Sequence, residues 1–248
     1  MSQEDALARA RNLVASSSRI SALTGAGISV GSGIPDFRSE GGVWERYDPL
    51  EYATHESFVN DPTKFWTMGR EIAPLLLKAK PNDAHIALAR LELGGRFIGI
   101  ITLNIDNLHQ VAGNRNVIEL RGNYLRAHCT GCSREYFGEA VHRRVAEGEI
   151  PPHCDDCGAV LKSEAVLFGE PLSQSAMSRA IQICRSTDLM LVVGASLQIY
   201  PAAYLPSLAK RNGAKVILLN LEGFNRDGVA DLVLKGKASD ILPKIVEY

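Results

Sequence analysis

Two short turns constrain this chain more than any other feature: Cys129-x-x-Cys132 and Cys154-x-x-Cys157. Each turn directs two thiolates at one point, and together they complete a tetrahedron of soft ligands, the geometry zinc prefers. The stretch between the pairs, 133–153, is slightly longer than is usual for such sites. A closed set of four sulfurs leaves no position for water, so a metal held there is structural. The competing arrangements are two disulfides or four free thiols, and the redox compartment separates them. The N-terminus, Met1-Ser2-Gln3-Glu4-Asp5, is acidic and lacks the basic and apolar regions of a signal peptide. No apolar run approaches the roughly 18 residues of a membrane helix. A cytoplasmic, reducing home is therefore expected, and with it zinc on Cys129, Cys132, Cys154 and Cys157. His128 and His153 flank the pairs and are expected to be exposed, not ligands. The fifth cysteine, Cys184, falls in a helical pattern and reads as a small core residue.

The remaining length, within 248 residues of which 46% are hydrophobic and 22% charged, suits a substantial core and excludes disorder and disulfide-stapled miniproteins. With 27 basic and 28 acidic residues the net charge is −1, so no basic excess points to nucleic acid, and neither nucleic acid nor membrane is an expected partner. Apolar spacing predicts an opening helix over 4–16 and a strand over 20–23. Glycine and proline density over 31–50 reads as a long loop. Further helices are expected over 58–80 for the most part, 82–93, 173–184 and 202–211. Strands are expected over 97–103, 117–120, 189–193 and 216–219, and apolar runs at 232–234 and 241–246 close the chain. Short apolar strands alternating with helices imply an α/β architecture, a parallel sheet covered on both faces. The cysteine-rich stretch 123–165 has little periodic pattern and reads as a separate module.

Gly25-x-Gly27 follows the first strand and precedes an expected helix start. Backbone amides there suit a pyrophosphate, or equally an ordinary tight turn, because Val30 stands where the dinucleotide fingerprint wants its third glycine. Gly33-Ile34-Pro35-Asp36-Phe37-Arg38 sets a carboxylate, a ring and a guanidinium close together; the alternative is a loop pinned by Asp36 and Arg38. Asn104-Ile105-Asp106 follows the 97–103 strand, at the carboxyl end where parallel sheets bind ligands, or where a helix needs its cap.

Taken together these residues resemble the sirtuin (Sir2-type) family. Thr24-Gly25-Ala26-Gly27-Ile28-Ser29, Gly33-Ile34-Pro35-Asp36-Phe37-Arg38, Asn104-Ile105-Asp106 with Leu108-His109, and the paired cysteines match its blocks in order. Phe168-Gly169-Glu170, Gly194-x-Ser196, Pro201-Ala202-Ala203 and Asn220-Leu221-Glu222 match later blocks in order, so that the resemblance covers essentially the whole chain. The resemblance implies NAD-dependent deacylation of lysine in a protein or peptide. It also implies a Rossmann-like domain (1–38, 83–120 and 166–248) and a smaller zinc-binding domain (39–82 and 121–165). By position, Gly25, Ala26 and Gly27 would approach the diphosphate, and Asp36, Phe37 and Arg38 would form the cofactor loop. Leu103, Asn104 and Asp106 would surround the nicotinamide end, with Asn104 and Asp106 catalytic. Gly194 and Ser196 would hold phosphate or ribose, Asn220 and Glu222 the adenine ribose, and Ala238 would flank adenine. Val166, Phe168, Gly169 and Glu170, with Leu197, Gln198 and Ile199, would clasp the acyl-lysine peptide as an added strand.

The chain departs from that pattern within the pocket. The family's Glu-Leu-His-Gly block reads Glu119-Leu120-Arg121-Gly122, and Arg121 keeps its proton and offers no acceptor, so it cannot serve as the general base. Leu103 replaces an amide-bearing residue and Ala195 a hydroxyl-bearing one. His109 and His128 are the histidines able to replace it as bases, though the sequence places neither in the pocket. Gly69 and Ile72 occupy the positions where relatives selective for acidic acyl groups carry tyrosine and arginine. Deacylation remains the leading expectation, beside ADP-ribosyl transfer or NAD hydrolysis on the same fold, and beside binding without turnover.

Overall fold

The structure is a computed structural model that describes residues 2–35, 42–223 and 228–246. The expected cofactor-loop residues Asp36, Phe37 and Arg38 lie outside the described residues.

Helix α1 (Gln3–Ser16) leads into β1 (Ile20–Thr24). Short helices α2 (Val43–Arg46), α3 (Pro49–Tyr52) and α4 (His55–Asn60) precede the long α5 (Pro62–Lys78) and α6 (Asp83–Leu93). Then come β2 (Phe97–Thr102), α7 (Leu108–Ala112), β3 (Val117–Glu119), β4 (Arg126–Cys129), β5 (Glu135–Phe137), α8 (Gly138–Ala146) and β6 (Leu161–Ser163). The chain ends with α9 (Gln174–Ser186), β7 (Leu189–Val193), α10 (Leu205–Arg211), β8 (Lys215–Asn220), β9 (Leu232–Lys235) and α11 (Ala238–Val246).

Six strands form one sheet in the order β3-β2-β1-β7-β8-β9, and every neighbouring pair is parallel. That is the doubly wound, Rossmann-like order, with its reversal between β1 and β7. β1 and β7 are buried along their whole length because helices cover both faces. Alternate residues serve opposite cores. Ala22, Leu191 and Val193 meet α1, α6 and α11 through Val14, Leu88 and Leu242. Leu23, Met190 and Val192 meet α9 and α10 through Cys184 and Leu205. Cys184 is the small core residue its spacing suggested.

A second, antiparallel sheet has the order β5-β4-β6. Its core joins α5, α8 and the 43–58 helices: Trp66 is fully buried and its Nε1 donates to Leu161 O at 2.9 Å. Among the described residues no helix is long and apolar enough to cross a membrane.

Several expectations need correction. The 31–50 stretch is not one loop, since α2 and α3 lie in it; Asp48 caps α3 by accepting from Leu50 N at 2.8 Å. The 58–80 helix is two helices, broken where Asp61 caps α5 and Pro62 opens it. A 3₁₀ turn, Ala202–Tyr204, replaces the start of the expected 202–211 helix. The 241–246 run is the end of α11. The cysteine-rich module contains α8, whose buried side carries Gly138, Val141, His142 and Val145. After Gly25 the chain makes two 3₁₀ turns, Ala26–Ile28 and Val30–Ser32, and not an α-helix.

Candidate active site and metal centre

The four predicted cysteine sulfurs converge, with ligand atoms all within 4.8 Å of one another. Cys129 closes β4 and lies 3.3 Å from Cys157 Sγ, and Cys132 lies 3.6 Å from Cys154 Sγ. The surroundings are built for thiolates. Gly131 N and Cys132 N donate to Cys129 Sγ at 3.3 and 3.4 Å. Tyr136 O–H donates to Cys154 Sγ at 3.2 Å, and its oxygen accepts from Asp155 N at 3.0 Å. The Tyr136 hydrogen bond, helped by backbone amides, pulls the Cys154 thiol down to about 6. Four converging sulfurs of this kind fit one structural zinc ion. His128 pairs with Glu135 and Lys162 in the sheet and is half-buried, while His153 is exposed; neither belongs to the cluster.

The second site lies where the strand order reverses. Loops leaving β1 and β7 meet there backbone to backbone: Gly25 N donates to Val193 O at 3.1 Å and Gly27 N to Gly194 O at 2.9 Å. A Cβ on Gly27 would stand 2.7 Å from Gly194 Cα, and one on Gly194, whose φ is +61°, would stand 2.3 Å from Ile28 N. Only glycine permits this approach. The result is a crevice rim made of main chain, the surface a dinucleotide diphosphate needs at a switch point.

Beneath the rim, β2 delivers a buried polar cluster. Asn104 Nδ2 donates to Gly25 O at 3.2 Å and to Ser29 Oγ at 3.0 Å, and Ser29 O–H donates to Asp106 Oδ2 at 2.6 Å. Asp106 Oδ1 accepts from Leu108 N at 3.0 Å. Burial raises the Asp106 pKa, and the Ser29 and Leu108 hydrogen bonds oppose that rise. A further polar line runs under the strand ends: Thr24 Oγ1 contacts Thr102 Oγ1 and His109 Nε2, each at 2.9 Å, and the His109 ring lies 4.9 Å from that of His85. At 1% exposure His109 is closed off from the crevice. Of these residues, Ser29, Thr24, Thr102 and His85 carry no expected role. Thr24 and Ser29 carry a signal, their place at the two ends of the glycine-rich block; Thr102 and His85 bear side chains that pair only after folding.

The rim holds the remaining predicted residues. Ala26 is half-buried, Ser196 and Glu222 are exposed, and Asn220 Nδ2 donates to Ala195 O at 3.2 Å. Ala238 is buried at the start of α11. Leu103 turns to the α9–α10 core. Arg121 is half-buried: Nη2 donates to Val166 O at 3.1 Å, Val166 N donates to Arg121 O at 2.8 Å, and the guanidinium carbon lies 5.3 Å from the Phe168 ring centre. Phe168 pairs by its main chain with Ala53 O and His55 N, each at 2.9 Å. Glu170 accepts from Leu167 N at 2.8 Å and Lys162 Nζ at 3.1 Å, so its carboxylate braces the segment; Gly169 is exposed. Leu197 is buried with φ +53°, Gln198 is exposed and Ile199 is half-buried.

This arrangement has relatives. The Sir2 family model matches residues 25–201. The NAD-dependent protein deacetylase of Caldivirga maquilingensis is 45% identical over 96% of this chain and 91% of its own. The NAD-dependent protein deacylase of Pyrococcus furiosus is 43% identical, over 97% of each chain. A solved Sir2 enzyme superposes with a TM-score of 0.91 at 43% identity, covering 98% of this chain and 97% of that one. A Sir2 complex with p53 peptide and NAD+ gives 0.88 at 37% identity, covering 100% and 98%. A family match over most of the chain, on a Rossmann-like sheet with a four-cysteine module, means that this chain belongs to the Sir2 family, the sirtuins.

Proposed function

We propose that the protein is an NAD-dependent protein lysine deacylase, acting on acylated lysine in a protein or peptide. The observation that carries this reading is the buried Asn104–Ser29–Asp106 cluster at the switch point, in a chain 45% identical to a deacetylase. NAD, when bound, supplies the ADP-ribosyl group that accepts the acyl chain as nicotinamide is released. The main chain of Gly25, Ala26, Gly27 and Gly194 and the Ser196 hydroxyl hold its diphosphate. Asn220 and Glu222 reach the adenine ribose and Ala238 borders the adenine. Asn104 and Asp106 orient the reacting end; Ser29 holds both in place, so little reorganisation is left for the reaction itself. The peptide lies along Val166, Phe168, Gly169 and Glu170 on one side and Leu197, Gln198 and Ile199 on the other. Residues 1–38, 83–120 and 166–248 form the cofactor unit, and 39–82 with 121–165 the zinc-bearing one. A reducing cytoplasm suits its thiolates.

Arg121 sets the limit on this chemistry. Standing where the family places histidine, it holds its proton and takes none. Losing a positioned general base costs about 10²–10⁴-fold. The same residue favours a second reading, NAD hydrolysis or ADP-ribosyl transfer without deacylation, because it leaves that position without a proton acceptor; its guanidinium is engaged with Val166 O and Phe168.

Mass spectrometry of all products from zinc-loaded protein, NAD and acetyl-, butyryl-, myristoyl- and succinyl-lysine peptides tests the proposal. O-acyl-ADP-ribose together with deacylated peptide is expected. Free ADP-ribose or a modified acceptor, with the peptide still acylated, would replace deacylation by the second reading.

A further inference from the structure

A cavity of about 270 Å³ opens at the end of the sheet opposite the crevice. Its position follows from its walls: Arg19 precedes β1, Ile98 lies at the start of β2, and Ser186 ends α9 just before β7. Arg179, Gln182, Ile183 and Ser186 line it from one side of α9, at helical spacing i, i+3, i+4, i+7.

Three features shape its walls. First, the pairing of β1 with β2 slips between Ile20 and Ser21, which face Phe97 and Gly99. Ile98 is the extra residue, and a bulge of this kind re-aims a side chain. Gly99, at φ +148°, permits the bulge. Second, Asn116 Nδ2 donates to Ile98 O, which leaves Asn116 Oδ1 to receive Arg179 Nη2 at 3.4 Å, a long bond that an incoming acceptor can replace. Third, Arg19 makes no ion pair among the described residues. The carboxylate of Asp188 accepts from the main chain beside it, Ser18 N and Arg19 N, at 2.9 and 3.0 Å.

We infer that this cavity is a second ligand site, for a small organic carboxylate with a short apolar body. The guanidinium groups of Arg19 and Arg179 match a carboxylate, since the planar fork of arginine pairs with its two oxygens. Ile98, Ile118 and Ile183 supply an apolar wall for the rest of the molecule. The site is separate from the switch-point crevice, and its occupancy does not depend on what reaction takes place there.

Titration of the zinc-loaded protein with hexanoate, followed by NMR chemical shifts of Ile98, Ile118 and Ile183, tests this. Saturable binding in the millimolar range or tighter is expected. It should weaken at least about tenfold when Arg19→Gln and Arg179→Gln are combined, a loss of about 1.4 kcal/mol. Both arginines are exposed, so the variant should keep the parent Tm. Saturating NAD should leave hexanoate binding unchanged. The proposal is overturned by absent saturation, by equal binding of uncharged hexanamide, by an unaltered affinity in the double variant, or by displacement with NAD.

Discussion

Single atoms decide much at the switch point. A methyl group on Gly194 would meet Ile28 N at 2.3 Å while forcing an L-residue to hold φ +61°. Both penalties act on main chain that no rotamer change relieves. Gly194→Ala should therefore lower unfolding free energy by roughly 3 kcal/mol or more in urea titrations, well beyond an ordinary surface substitution. Arg121 poses a chemical question of the same size. If it is only a missing base, Arg121→His should raise deacylation by about tenfold or more, read as O-acyl-ADP-ribose formed per minute. A flat response would place the divergence elsewhere in the pocket, with Leu103, turned to the α9–α10 core, the next substitution to reverse.

Among the elements, the small β5-β4-β6 sheet is the one that stands beside the four converging sulfurs. It is three short strands, and such a sheet needs packing or a ligand to hold it. Tyr136, on β5, reaches from outside the sulfur set to Cys154, an outer contact of the sort that fixes a ligand's orientation and charge. Tyr136→Phe should speed zinc loss to a colorimetric chelator by roughly tenfold. Full chelation should go further. Trp66 is buried against this module and bonded to Leu161 O, so removing zinc should red-shift tryptophan emission as β6 loosens.

For the whole molecule, pH reports on the buried histidines. Burial pushes His85 down to about 4 from 6.5; burial first, and then the repulsion two protonated rings would feel, hold His109 well below its ordinary value. Both stay neutral in the fold while the unfolded chain takes up protons first. The His85 contribution is complete above pH 6.5 and is lost as pH falls toward 4, on the order of 3 kcal/mol, and His109 acts in the same direction. Asp106 acts with the opposite sign, because burial raises its pKa and protonation favours the fold in the carboxylate range. The histidine effect begins at higher pH. Urea midpoints should fall between pH 7 and 5, and His85→Gln should flatten that slope.

What was legible from the residues alone is whatever local spacing encodes. C-x-x-C twice placed the metal centre, because a turn of that length aims both sulfurs whatever surrounds it. Continuous apolar runs placed β1, β7 and β8, because strands covered on both faces need no alternation. The Asp61-Pro62 break between α4 and α5 is also written locally, in a cap and a proline, and it prevails over the apolar period that runs across it. Tertiary structure alone decided what bonds to what across the chain. Ser29 reaches Asp106 over 77 positions, Thr24 reaches His109 over 85, and Arg121 meets Val166 over 45. Such partners are selected by which strand lies beside which. The packing of helices on both faces sets that order, and no short-range pattern of residues records it.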